Sequence, residues 1–156
     1  MIVSGSSSYG DQTVRVWRLA DGTPVGEPLR GHDGSVRAVA AGRLPDGTPV
    51  MISGGNDATV RVWRLADGTP VGEPLTGHTR AAAVAVGALP DGTPVIVSGG
   101  SDGTLRVWRL ADGTPLVPPL HLSESVLGVV IHGNVIVTAA GADIAVHQPA
   151  LPQPMR

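Results

Sequence analysis

His32, Ser53 and Asp57 are the three side-chain types of a hydrolytic triad, in which an imidazole takes the hydroxyl proton and a carboxylate orients the imidazole. The same three types recur at His78, Ser98 and Asp102. Duplication argues against catalysis, because a catalytic set occurs once while a structural set recurs in every unit. A serine nucleophile also needs an accessible hydroxyl beside an oxyanion hole, and no strained nucleophile elbow of the Gly-x-Ser-x-Gly kind is expected anywhere in the chain. The chemistry that remains is mutual satisfaction: an imidazole, a hydroxyl and a carboxylate can hydrogen-bond one another in a buried line.

Other chemistries fare no better, and no enzymatic activity is expected. His32, His78, His121, His132 and His147 fall in separate stretches without a close His-x-His or His-x₃-His pair, so no metal is expected. Asp21, Asp67 and Asp112 stand one per Asp-Gly turn, as do Asp46 and Asp91, which is hairpin chemistry and not a converging calcium cage. The Gly-rich stretch from Ser4 to Gly10 lacks a Gly-Lys-Ser/Thr ending and a following helix, so it reads as a lengthened turn instead of a phosphate cradle. No cofactor is expected. Without cysteine there is no disulfide framework and no thiolate chemistry.

These residues belong to a repeat. Thr13 to Pro24, Thr59 to Pro70 and Thr104 to Pro115 are almost the same twelve-residue string, with Trp17, Trp63 and Trp108 at the same place in each. A period in the range of about 40–50 residues marks a stacked or circular array. Within each unit, short apolar alternation is punctuated by turns such as Leu44-Pro45-Asp46-Gly47 and Gly54-Gly55-Asn56-Asp57. Thr59 to Leu65 alternates in the β sense, with Val60 and Val62 on one face and Arg61 and Trp63 on the other. A further short strand is expected around Val71 to Leu75, which makes four per unit. Apolar residues never recur at helical spacing, so the fold class is all-β, built from four-stranded antiparallel sheets. Arg15, Arg61 and Arg106 recur beside the tryptophans, where their stems can cover neighbouring apolar surface.

Composition agrees. The 156 residues are 42% hydrophobic, enough for a sizeable core, and their 22 glycines and 14 prolines recur at turn offsets instead of forming a disordered tract. All eleven basic residues are arginine and the net charge is −2, which lacks the basic excess of a nucleic-acid binder. The longest apolar runs are too short to span a membrane, and the amino-terminus lacks the pattern of a signal peptide, so the cytoplasm is the default location.

A Gly-His pair, a strand ending in Ser, an Asp in a tight turn and a Trp six residues later resemble the WD40-repeat β-propeller family. The matching residues are Gly31-His32, Ser53, Asp57 and Trp63, then Gly77-His78, Ser98, Asp102 and Trp108, with a partial set at Ser4, Asp11 and Trp17. The resemblance implies that His, Ser, Asp and Trp tie the strands of each blade together by hydrogen bonds. The chain departs from the family where Arg18, Arg64 and Arg109 replace the aspartate of the Trp-Asp dipeptide. That aspartate is outside the hydrogen-bonded chain, so the expected fold is unaffected.

The likeness implies a partial propeller of about three and a half blades and fourteen strands: a half blade over 1–22, blades over 23–66 and 67–111, a degenerate blade over 112–148 and a tail over 149–156. In the degenerate blade, strands are expected at Ser125 to Ile131, Val135 to Thr138 and Ile144 to Val146, with His147 at the Trp position. Propellers close with about 4–8 blades. A half-ring leaves apolar faces that need cover, either from the remaining blades of a longer parent chain or from a homodimer closing the ring. The function expected from the resemblance is a non-catalytic scaffold for protein–protein interaction, with Asp33, Arg37, Thr79 and Arg80 as contact residues. The alternative is the regulatory or sensory propeller of a larger signalling enzyme whose catalytic domain lies upstream.

Overall fold

Alternating valines and turn-forming Asp-Gly and Gly-Gly pairs cut the chain into short extended pieces. The computed structural model describes residues 1–6, 11–133 and 135–148. Among them are twelve strands and no helix, hence none long and apolar enough to cross a membrane. The strands are β1 (Ile2–Gly5), β2 (Val14–Trp17), β3 (Val36–Arg43), β4 (Pro49–Gly55), β5 (Val60–Arg64) and β6 (Ala81–Ala88). They continue as β7 (Pro94–Gly100), β8 (Thr104–Arg109), β9 (Leu120–His121), β10 (Val126–His132), β11 (Val135–Ala140) and β12 (Asp143–His147).

Neighbours in sequence pair antiparallel, giving four sheets in series: β1-β2, β3-β4-β5, β6-β7-β8-β9 and β10-β11-β12. Repetition extends to irregularities, since the innermost strand of the last three sheets carries a register shift at the same place, Val36/Ala38, Ala81/Ala83 and Val126/Gly128. The expected degenerate blade forms its three strands within two residues of their predicted bounds.

The outer strand is where structure and expectation part. Around Val71 to Leu75 there is no continuous strand, only single-residue bridges from Trp63 to Pro70 and from Val60 to Leu75, as Trp17 and Val14 bridge Pro24 and Leu29. Proline has no amide hydrogen to donate, and Gly72 turns the chain at φ 68° between the two bridges, so the ladder is interrupted. This accounts for twelve strands where fourteen were expected. The outer edge of the second sheet therefore comes from the start of the following repeat unit, and consecutive units interlock. The tail 149–156 and most of the Gly-rich stretch, residues 7–10, lie outside the described residues.

Sheet faces alternate in destination. Val14 and Val16 meet Val36, Met51 and Trp63 of the second sheet. That sheet's opposite face, Val50, Ile52, Val60 and Val62, meets Ala81, Val84, Ile96 and Trp108 of the third. The third sheet in turn presents Val95, Val97, Leu105 and Val107 to Val126 and Ile136 of the fourth. Close approach requires glycine at these junctions: a Cβ on Gly42 would stand 2.5 Å from Val86, and one on Gly5 would stand 2.5 Å from Val36.

Candidate functional site

Each complete repeat carries, two residues before the end of its middle strand, a serine that faces the preceding sheet and lies diagonally across from the tryptophan of the next strand. In the second sheet, Trp63 Nε1 donates to Ser53 Oγ at 2.8 Å and Ser53 Oγ lies 2.7 Å from His32 Nε2. His32 Nδ1 is 2.9 Å from Asp57 Oδ2. The third sheet repeats this with Trp108 Nε1 to Ser98 Oγ at 2.8 Å, Ser98 Oγ to His78 Nε2 at 2.8 Å and His78 Nδ1 to Asp102 Oδ1 at 3.4 Å.

Donor bookkeeping fixes the direction of the line. The indole can only donate, so the serine proton points to Nε2, and Nδ1–H points to the carboxylate. The aspartate accepts further donors: Asp57 from the Asp33 amide at 3.0 Å and the Thr59 hydroxyl at 2.9 Å, Asp102 from the Thr79 amide at 3.0 Å and the Thr104 hydroxyl at 2.7 Å. Every polar atom of the line thereby has a partner, which is what burial demands.

Electrostatics match this tautomer. Burial pushes the His32 and His78 imidazoles below their ordinary value, outweighing the pull of Asp57 and Asp102, so both are neutral at pH 7. The contacts are therefore neutral-imidazole hydrogen bonds to a carboxylate and not ion pairs. Burial alone would raise Asp102, but the Thr104 hydroxyl and amide, the Thr79 amide and His78 overcome it and bring it down to about 2. Asp57 is lowered likewise, burial being outweighed by the Asp33 amide, His32 and Thr59.

Ser53 and Ser98 are fully buried at 0% exposure, out of reach of any substrate. Ser101 is exposed and falls in the string Gly99-Gly100-Ser101-Asp102-Gly103, a formal Gly-x-Ser-x-Gly match where none was expected. It links strand β7 to strand β8, whereas a nucleophile elbow links a strand to a helix.

The partial set is only half assembled. Trp17 Nε1 donates to Ser4 Oγ at 2.8 Å, while Asp11 is held by Thr13 Oγ1 at 2.8 Å and Arg15 at 3.3 Å. In the fourth sheet Thr138 and His147 take the serine and tryptophan places, 3.1 Å apart. His121 and His132 are exposed, and no group of three metal-ligating side chains occurs among the described residues. Arg106 Nη2 donates to the Gly77 carbonyl at 2.9 Å, and Arg15 reaches the Asp11 carboxylate. Arg18 and Arg109, at the departing dipeptide, reach Asp21 and Asp112 at 3.4 Å on the surface.

Sequence reasoning missed the threonines. Thr59 and Thr104 complete the carboxylate shell, and the signal was present, since Thr13, Thr59 and Thr104 each follow an aspartate by two residues. Asp33, Arg37, Thr79 and Arg80 are all exposed on the loops and strand starts after the two Gly-His pairs. Their surroundings divide the labour: the Asp33 and Thr79 amides are tied to the Asp57 and Asp102 carboxylates, while the Asp33 and Thr79 side chains face solvent.

The WD domain, G-beta repeat family matches this sequence over residues 22–64 and 68–109. Among solved structures, the chain is similar to the crystal structure of the computationally designed Ika4 protein, with a TM-score of 0.73 and 27% sequence identity over 94% of this chain and 83% of that one. No curated protein matches the sequence.

Proposed function

The chain belongs to the WD40-repeat family as a partial β-propeller, and from that premise we propose that it is a non-catalytic scaffold that binds another protein through the loops after its Gly-His pairs. WD40 repeats generally mediate protein–protein interaction and are typically non-catalytic. The observation that carries the reading is the contrast within one loop. The Asp33 amide is locked to Asp57 at 3.0 Å and the Thr79 amide to Asp102 at 3.0 Å, while both side chains are exposed. A rigid backbone presenting variable side chains suits recognition, because little conformational entropy is lost on binding.

The two loops differ where the framework does not. Asp33 gives way to Thr79, and the exposed Arg37 to Ala82, so the two loops present different surfaces from one scaffold. A quadruple substitution of Asp33, Arg37, Thr79 and Arg80 to alanine, compared with the parent chain by quantitative affinity enrichment, tests this. Loss of specific partners at unchanged thermal stability supports it; an identical partner set for both chains rules it out.

A further inference from the structure

The outward face of the fourth sheet occupies the same structural place as two faces that are buried inside the molecule. Ile144 and Val146 of β12 correspond to Val60 and Val62 of β5 and to Leu105 and Val107 of β8 through their strand registers. The four internal residues are 0–7% exposed, whereas Ile144 is 79% and Val146 66% exposed. Val130 of β10, 63% exposed, stands where the internal sheets have the half-buried Ala40 and Ala85. The opposite end of the series shows the reciprocal feature. Ile2 is 46% exposed and corresponds to Met51, Ile96 and Ile136, each at most 1% exposed, while Trp17 is only half-buried at the place where Trp63 and Trp108 are buried.

Side-chain sizes say what fits. At the internal junctions, β3 and β6 present Ala38, Ala40 and Gly42, or Ala83, Ala85 and Gly87, to the innermost strand of the following sheet. A Cβ on Gly42 would press on Val86, one on Gly87 on Ile131, and one on Gly99 on Val126. In the fourth sheet Gly128 replaces Ala38 and Ala83, while the other corresponding positions are larger: Val130 for Ala40 and Ala85, His132 for Gly42 and Gly87, and Ala139 for Gly54 and Gly99. An incoming sheet with an innermost strand like β6 or β10 would meet these added atoms. The first sheet has only β1 and β2, and among the described residues it has no counterpart of β3, β6 or β10. A sheet of these two strands brings no such strand against the larger residues.

We propose that the outward face of the fourth sheet, centred on Val130, Ile144 and Val146, docks the first sheet of a second copy of this chain at Ile2 and Trp17. The contact is head-to-tail, so two copies bury both end faces twice by closing on each other. It continues the stacking of the three internal junctions and is separate from the Gly-His loops.

Sedimentation of the 156-residue chain tests it. A species of twice the chain mass is expected at micromolar concentration. Ile144→Asp and Ile2→Asp, each at an exposed position, should each halve that mass while circular dichroism stays unchanged; Val146→Asp serves as a second variant of the same face. Mixing Ile2→Asp with Ile144→Asp should restore the doubled mass, because one of the two junctions in the mixed pair is then unaltered. A parent chain that sediments at the single-chain mass overturns the proposal. So does a pair sensitive to Ile144→Asp but indifferent to Ile2→Asp, which would mean that fourth sheets dock on each other, or a mixture that stays at the single-chain mass.

Discussion

Trp63 and Ser53 are held together at 2.8 Å in the dry centre of the second sheet, and Trp108 and Ser98 repeat the pairing at 2.8 Å in the third. In each pair the hydroxyl is the pivot: it accepts from the indole and donates to the imidazole. Removing it orphans two buried atoms at once.

Ser53→Ala should therefore cost about 3 kcal/mol, since each unsatisfied buried polar atom costs roughly 1–3 kcal/mol. The cost should exceed that of an ordinary lost hydrogen bond, about 1 kcal/mol. With Trp63→Phe already in place only the imidazole is orphaned, so the double variant should fall short of the sum of the single costs by about 1 kcal/mol. Urea unfolding of the four chains measures the cycle, and strict additivity would contradict the shared-pivot account.

Acid should weaken the fold in two stages. His32 and His78 titrate below 6.5 when folded, so under that pH the unfolded chain binds more protons and stability falls as pH drops. Asp102 adds the second stage: its folded value of about 2 lies below the ordinary 3.8, so its contribution is complete above 3.8 and is lost as pH falls toward 2. Because Asp102 is itself solvent-exposed, screening reduces the contribution of that carboxylate to about 1 kcal/mol. Thermal midpoints at half-unit pH steps should be level from 8 to 7, decline below 6.5 and drop further below 4. A profile that rises on acidification would mean the imidazoles are charged in the folded state.

Ala58 is the one described residue other than glycine with a positive φ, at 69°. The equivalent place in the next repeat is Gly103, at φ 72°. A left-handed backbone costs a residue with a Cβ about 1–2 kcal/mol, so Ala58→Gly should stabilise the chain by roughly 1 kcal/mol, offset in part by the freer unfolded state. A rise of a few degrees in thermal midpoint is the expected reading, and a fall would show that the Ala58 methyl contributes packing that outweighs the strain.

Why the sheets were legible in the sequence, and part of the site was not, comes down to which residues carry local information. Val60, Val62 and Trp63 announce a strand by alternation, and Gly31-His32, Ser53 and Asp57 announce their partnership by recurring at spacings that differ by one residue at most. The outer edge was overcalled because Pro70 and Gly72 interrupt a ladder that Val71 to Leu75 alone suggests. Thr59 and Thr104 were passed over because threonine is ordinary in strands, and only the fold brings their hydroxyls to a carboxylate shared with a histidine 27 or 26 residues away. The large residues at Val130 and His132 look unremarkable until β10 is laid on β3 and β6, when they prove to stand at alanine and glycine positions.

Thr104 offers the sharpest test of the carboxylate shell. Its hydroxyl donates to Asp102 Oδ1 at 2.7 Å and lies 3.0 Å from His78 Nδ1, and the residue is only 5% exposed. Thr104→Val preserves shape and removes the donor, leaving the anion with the Thr79 and Thr104 amides and His78. A hydrogen bond to a charged group contributes about 1.5–3 kcal/mol, so the variant should lose an amount of that order at pH 7. Without the hydroxyl the Asp102 carboxyl should titrate above its present value of about 2, which starts the acid decline at higher pH. The stability gap between parent and variant should then narrow as pH falls toward 2, where the carboxyl is protonated in both. A gap that stays constant from pH 7 to 2 would mean the cost came from packing, and that the hydroxyl does not hold the charge.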